Sequence, residues 1–185
     1  MKILVVTIPK SGTYFTGLLL RESGFTDLGL HYSYFGRTVC NYHKQKKYPH
    51  DLTDIEDNSF VLSHMRYPFR THLTTVFVYR NLRDCIISHA RFRFTNLKDY
   101  IKRYSVHYKR VNNQTQWLKA DYTISYEDML EGKKLPFITV DPKDYLGTKT
   151  LTRNDKPTKW QDYWDDEWEA YFQNFIEANK RLGYE

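Results

Sequence analysis

Lys10, Ser11, Gly12 and Thr13 close an opening segment in which the apolar run Ile3-Leu4-Val5-Val6 leads through Thr7, Ile8 and Pro9. A short buried strand, then a Lys/Ser/Gly/Thr loop, then an apolar helix is how a chain builds an anion cradle. The loop turns N–H groups outward, the helix N-terminus adds partial positive charge, and Lys10 adds a full one. The chemistry implied is capture of a phosphate-like group at a strand's carboxyl end. Three further segments carry comparable groups. Val78-Tyr79-Arg80-Asn81-Leu82-Arg83-Asp84 sets an arginine at a strand end, with Ser88 eight residues beyond it. Eight residues span about 12 Å of helix, so an arginine folding back reaches the same ligand as the serine. Ser125-Tyr126-Glu127-Asp128-Met129 is again a strand end, and Arg153-Asn154-Asp155-Lys156-Pro157 leads to Trp160. Ligands of open parallel sheets bind outside the carboxyl ends of the strands, where the first three of these groups fall.

The elements that must position these groups are readable from periodicity. Ile3 to Ile8 predicts a central strand, apolar on both faces, and Gly12 to Ser23 a helix ended by Gly24. Phe60-Val61-Leu62-Ser63 and Thr75-Val76-Phe77-Val78-Tyr79 predict two more strands. Helices are expected over Asn81 to Phe94 and Leu97 to Trp117, then a strand at Tyr122 to Tyr126 and a short helix near Glu127 to Leu130. Trp164 to Leu182 predicts one amphipathic closing helix, stopped by Gly183; its Trp160, Trp164 and Trp168 read as a core stripe. From His31 to Asn58 the pattern dissolves, and an irregular or weakly helical segment is expected there. Strands alternating with helices imply an α/β fold of three layers, a central parallel sheet with helices on both faces. No repeat or linker divides the chain, so one domain, 1–185, is expected.

Composition narrows the class. The chain has 185 residues, 41% hydrophobic and 27% charged, which excludes a disordered segment and suits one sizeable core. A net charge of +6 favours an anionic partner without choosing which. Cys40 and Cys85 make no disulfide framework; with no secretory signal and no membrane-length apolar run, a cytoplasmic protein is expected. Cys40, His43 and the neighbouring His31 and His50 lack the paired spacing of a zinc site, so no metal is expected.

Taken together, the four segments resemble the sulfotransferases that use 3′-phosphoadenosine 5′-phosphosulfate (PAPS), whose fold is P-loop-like. That resemblance covers both ends and the middle of the chain, and fails over 31–58 and 131–150, where acceptor specificity is expected. It implies that Lys10, Ser11, Gly12 and Thr13 hold the 5′ side and that Arg80 and Ser88 hold the 3′-phosphate. It further implies that Tyr126 contacts the adenine and that Arg153 returns to the 3′-phosphate. Tyr14-Phe15 stand where family members often carry Thr-Trp, which puts Tyr14 beside the nucleotide. Asn154-Asp155 replace the family's Lys-Gly after the closing arginine, with Lys156 as a substitute charge. The implied reaction moves a sulfuryl group to a hydroxyl or amine of a small molecule or glycan, releasing 3′-phosphoadenosine 5′-phosphate (PAP), with no metal.

The resemblance also calls for a histidine base at the end of the strand preceding the Arg80 strand. His72, in Arg70-Thr71-His72-Leu73, matches the family's local string, but the next strand begins almost at once and leaves no crossover. His64, ending Phe60 to Ser63, leaves a short one and is the expected base, with His72 and His31 as competitors. Lys10 suits the departing oxygen. Two other classes share parts of this pattern. A P-loop kinase or NTPase begins similarly, but Gly-x-x-x-x-Gly-Lys-Ser/Thr is absent. A nucleic-acid binder would use the positive charge and the aromatics, yet the basic residues are interleaved with acids and form no stripe.

Overall fold

The computed structural model describes residues 1–34, 37–40, 55–68, 71–93, 96, 99–100, 107–148 and 159–185; side chains are described outside 30–40, 93 and 107–108. Strand β1 (Lys2–Thr7) is followed by helix α1 (Thr13–Glu22), then β2 (Thr26–Tyr34), β3 (Arg37–Cys40), β4 (Ser59–Ser63) and β5 (Thr74–Tyr79). Helices α2 (Leu82–Arg93) and α3 (His107–Gln114) precede β6 (Tyr122–Ser125) and α4 (Tyr126–Leu130). Helices α5 (Asp166–Phe172) and α6 (Ile176–Arg181) close the chain. The strands form one sheet in the order β3-β2-β4-β1-β5-β6.

Strand β1 is central because nothing on either of its faces tolerates water. Leu4, Val6 and Ile8 enter a core layer made with α2, α3, α5 and the segment through Leu182. Ile3 and Val5 enter the opposite layer with Phe15, Leu19 and Leu20 of α1, Met129, Leu135 and Ile138. Helices therefore cover both faces, and the α/β expectation holds. Five strands run parallel; β4 and β5 flank β1 on its two sides, so residues 64–73 carry the chain across it.

Three local expectations are corrected. The stretch beginning at His31 is not irregular throughout: β2 starts at Thr26 and runs to Tyr34, and β3 pairs with it antiparallel. The period was obscured by a register shift between Asp27 and Leu30, where Gly29 adopts φ 92° and donates its N–H to Asp27 Oδ1 at 2.8 Å. Only two residues separate β2 from β3, too few for a parallel crossover, so the edge strand turns back.

Of the helix expected over 97–117, residues 97–98 and 101–106 lie outside the described residues; His107–Gln114 is α-helical and Thr115–Lys119 tightens to a 3₁₀ turn. The closing helix is also broken. It begins only at Asp166, where Asp165 caps it by accepting the Trp168 N–H at 2.9 Å. A 3₁₀ turn at Gln173–Phe175 then interrupts it before α6. The turn's three-residue period brings Phe172 and Phe175 onto one side, where their rings lie 6.1 Å apart and nearly parallel, both fully buried. Trp160, Trp164 and Trp168 do pack on this layer.

At the amino edge of the sheet, Asp121 ties β6 to β5: its Oδ2 accepts both the N–H and the hydroxyl of Thr75 at 2.7 Å. Those bonds hold its carboxyl below the usual aspartate range. A depressed folded value stabilises the protein above the unfolded value and is lost as pH falls through the folded one. Asp121→Asn is therefore expected to lower the urea midpoint at pH 7. The gap to wild type should close as pH falls well below 3.8, read by denaturation at both pH values.

Candidate functional site

The carboxyl ends of β1, β4, β5 and β6 meet at one edge of the sheet, and four of the expected groups lie there. The loop after β1 is folded back on itself. Ser11 N–H donates to Ile8 O at 3.0 Å, and its hydroxyl lies 2.8 Å from both Ile8 O and Val78 O. Lys10 takes a left-handed backbone at φ 72° and Gly12 follows at φ 99°. Helix α1 then starts with Gly12 as N-cap and no side-chain cap. Ser11 and Thr13 are buried, and the Thr13 hydroxyl bonds to Thr7 Oγ1 at 2.7 Å. Both hydroxyls thus shape the loop from inside, and the Gly12 and Thr13 main chain stands at the start of α1. Lys10 Nζ sits 4.1 Å from the centre of the Phe92 ring on α2. Tyr14 is half-buried on α1, packed against the α1-side core layer.

Strand β5 ends at Tyr79, and Arg80 stands in the connection to α2. Asn81 caps that helix, its Oδ1 accepting the Arg83 N–H at 3.0 Å. The Arg80 side chain is buried, with Nη2 3.5 Å from Asp84 and Nε 3.8 Å from Glu127. Both distances exceed the 2.7–2.9 Å or so of a close charge-assisted bond, so the carboxylates balance the guanidinium without clamping its fork. Asp84 and Ser88, four residues apart, share one side of α2, with Ser88 half-buried, and Asp84 lies beside Arg80 in the connection. Burial pushes the Asp84 carboxyl up, and Arg80 partly offsets it. Asp84 also accepts the Trp160 N–H at 2.8 Å, while Arg83 stacks on Phe172 and Trp160. The chain leaving 151–158 is thereby tied beside Arg80. Arg153 itself lies outside the described residues.

Tyr126 joins the first loop to Arg80. Its ring lies 5.0 Å from Arg80 Cζ and edge-on to Phe15, with centroids 6.0 Å apart. A Cβ on Gly12 would stand 2.5 Å from Tyr126 Cδ2, so only a glycine backbone fits beneath the ring. Burial raises the Tyr126 hydroxyl above the ordinary tyrosine value.

His64 follows the last residue of β4, one strand over from the Lys10 loop, and is buried. Its Nδ1 lies 2.9 Å from Thr7 O and 2.8 Å from Thr7 Oγ1. A carbonyl oxygen only accepts, so the contact with Thr7 O is made by the tautomer with the proton on Nδ1 and the lone pair on Nε2, while the Thr7 hydroxyl can meet either tautomer. Arg110 and Gln114 of α3 donate to His64 O at 2.7 and 2.8 Å, fixing the backbone behind it. His72 is exposed just before β5, at the opposite edge of the sheet from the Lys10 loop. His31 falls in β2, and its side chain is outside the described residues.

Sequence reasoning missed Thr7, Arg110 and Gln114 around His64, and Glu127 and the Trp160 N–H around Arg80; an Arg80–Asp84 ion pair is readable from their four-residue spacing at a helix entry. Arg110 and Gln114 are four apart on one helix face, which marks a shared target without naming it. Among the described residues no cluster of His, Cys, Asp and Glu could hold a metal ion, and no helix is long and apolar enough to cross a membrane.

No family model and no curated protein matches the chain. Solved structures do. Mouse sulfotransferase SULT7A1 complexed with PAP superposes with a TM-score of 0.62 at 14% identity, covering 96% of this chain and 84% of that one. Retinol dehydratase in a complex with retinol and PAP gives a TM-score of 0.59 at 16% identity, covering 97% and 81%. Its complex with androsterone and inactive cofactor PAP gives 0.57 at 16%, covering 96% and 80%. The fold is therefore the P-loop-like α/β fold of PAP-bound sulfotransferases.

Gly12→Ala should test the contact beneath Tyr126. It combines a left-handed backbone with a blocked Cβ, and a loss of about 1–3 kcal/mol is expected by urea unfolding. Gly24→Ala is the control, because φ is 91° there and nothing lies within 4 Å of the added Cβ. Equal losses in the two variants would mean that Tyr126 yields freely.

Proposed function

We propose that this chain is a single-domain sulfotransferase that moves a sulfuryl group from PAPS to a hydroxyl or amine of a small molecule or glycan. The observation that carries the reading is the convergence at one sheet edge of an uncapped helix N-terminus, Lys10, Arg80, Tyr126 and a His64 whose Nδ1 is held by Thr7. The fold shared with PAP-bound sulfotransferases supports it.

PAPS supplies an activated sulfuryl group with a phosphate leaving group. The residues present suit such a ligand at both ends. The α1 N-terminus and Lys10 offer donors and positive charge to the 5′ side. Arg80, set about two helical turns before Ser88, offers a planar fork to the 3′-phosphate. Tyr126, lying against Gly12 and Arg80, provides a face between those two anion sites. Sulfuryl transfer, like phosphoryl transfer, asks chiefly for alignment and charge neutralisation. Lys10 neutralises charge on the departing oxygen. His64 takes the acceptor's proton on Nε2 while Nδ1–H stays on Thr7 O, so the ring keeps its orientation as it charges. Cys85, although close to this edge, is buried with its thiol pushed far up, which leaves it no nucleophilic part.

PAP is expected to raise the melting temperature of the wild type. Arg80→Ala should weaken PAP binding about tenfold or more, by calorimetry, since a charge-assisted pair to phosphate is lost. An unchanged melting temperature at saturating PAP would sink the cofactor assignment. His64→Ala should lower kcat by about 10²–10⁴-fold with PAP affinity nearly intact, because His64 faces the reacting group and not the nucleotide's phosphates. A fully active His64→Ala would move the base elsewhere without touching the PAPS reading.

A further inference from the structure

The segment after α6 returns to the Arg80 connection and is stitched to it at several points. Asn179, fully buried, accepts the Leu82 N–H on Oδ1 at 2.9 Å and donates from Nδ2 to Glu185 O at 2.9 Å. Arg83 Nη1 donates to the same Glu185 O at 2.7 Å. Tyr184 packs edge-on to Tyr79, with centroids 6.3 Å apart, and its hydroxyl donates to Glu127 Oε2 at 2.6 Å. The other oxygen of that carboxylate, Oε1, faces Arg80 Nε at 3.8 Å and the Asn81 N–H at 3.4 Å.

We infer that Tyr184 is a positioning residue for Arg80, acting through Glu127 to aim the guanidinium at the 3′-phosphate; this rests on the PAPS reading above. A carboxylate on a partly exposed helix end has free rotation about its side chain. A phenol holding one of its oxygens leaves the second in a single place, beside Nε. With Nε 3.8 Å from Glu127 Oε1 and Nη2 3.5 Å from Asp84, the two charges bias the direction of the planar fork before a ligand arrives, without bonding it in place. Preorganisation of this kind raises affinity by removing an ordering penalty, and it acts only on ligands that use the fork. The closing segment thus acts on discrimination by the 3′ substituent, in addition to its part in the core.

The test compares PAP with adenosine 5′-monophosphate, which lacks the 3′-phosphate, by calorimetry on the full chain. Tyr184→Phe keeps the ring against Tyr79 and removes only the hydroxyl. It should weaken PAP about three- to tenfold while leaving the monophosphate unchanged. Glu127→Ala should lose discrimination too, and adding Tyr184→Phe in that background should do nothing more, since the two act in series. Unaltered discrimination in Tyr184→Phe, or additive losses in the double variant, would overturn the inference. So would parallel weakening of both ligands, which is what a merely structural role gives. A wild type that binds the two nucleotides equally would overturn the PAPS reading and this inference with it, a result distinct from the other three.

Discussion

The Ser11 hydroxyl lies between β1 and β5, 2.8 Å from Ile8 O and from Val78 O, and the geometry of the whole edge hangs on that shared bond. A serine has one proton to donate, so the two carbonyls hold it jointly, and the loop is drawn against the neighbouring strand. With the turn closed in that way, Lys10 and Gly12 take left-handed backbones, and α1 begins with its N–H groups facing out of the sheet. The bare Gly12 backbone then admits the Tyr126 ring, which arrives from β6 two strands away. Thr13, turned inward by the same helix start, reaches Thr7, and through Thr7 the position of His64. One inward hydroxyl thus connects residues from β1, β4, β5 and β6.

Charge is arranged around Arg80 with similar economy. A buried guanidinium needs counter-charges, and Asp84 and Glu127 provide them from two different elements. Each carboxylate has a second tie that keeps it from closing fully on the arginine. Asp84 receives the Trp160 N–H, and Glu127 receives the Tyr184 hydroxyl. The site therefore draws on the last quarter of the chain, where Trp160, Trp164 and Phe172 surround Arg83 and the closing helices complete the larger core layer. Those residues serve core packing and the setting of Arg80 together, and the aromatic side chains described there belong mainly to the core.

Much of this was legible from residue order. The run Ile3 to Val6, apolar on both faces, marks a central parallel strand because only a sheet covered on both sides accepts it. Strand–helix alternation gave the α/β class, and the Lys10, Arg80 and Tyr126 segments fell at strand ends. Strands β2 and β3 were not legible: the left-handed Gly29 and the register shift beside it broke the alternation on which strand recognition rests. The closing helix read as continuous because its apolar period persists through Gln173–Phe175, where close stacking of Phe172 on Phe175 selects a tighter turn.

By itself, then, the sequence determined which residue types stand at the strand ends and in what order, since those follow from local hydrophobic period and turn chemistry. Only the tertiary structure decided what each group is bonded to. The setting of the His64 ring depends on Thr7, 57 residues away. The setting of Arg80 depends on Glu127 and, behind it, Tyr184, again 57 residues apart. Hydrogen bonds reach about 3 Å whatever the separation along the chain, so such pairings leave no local pattern to read. They exist because β1, β4, β5 and β6 lie side by side in an order the sequence does not follow.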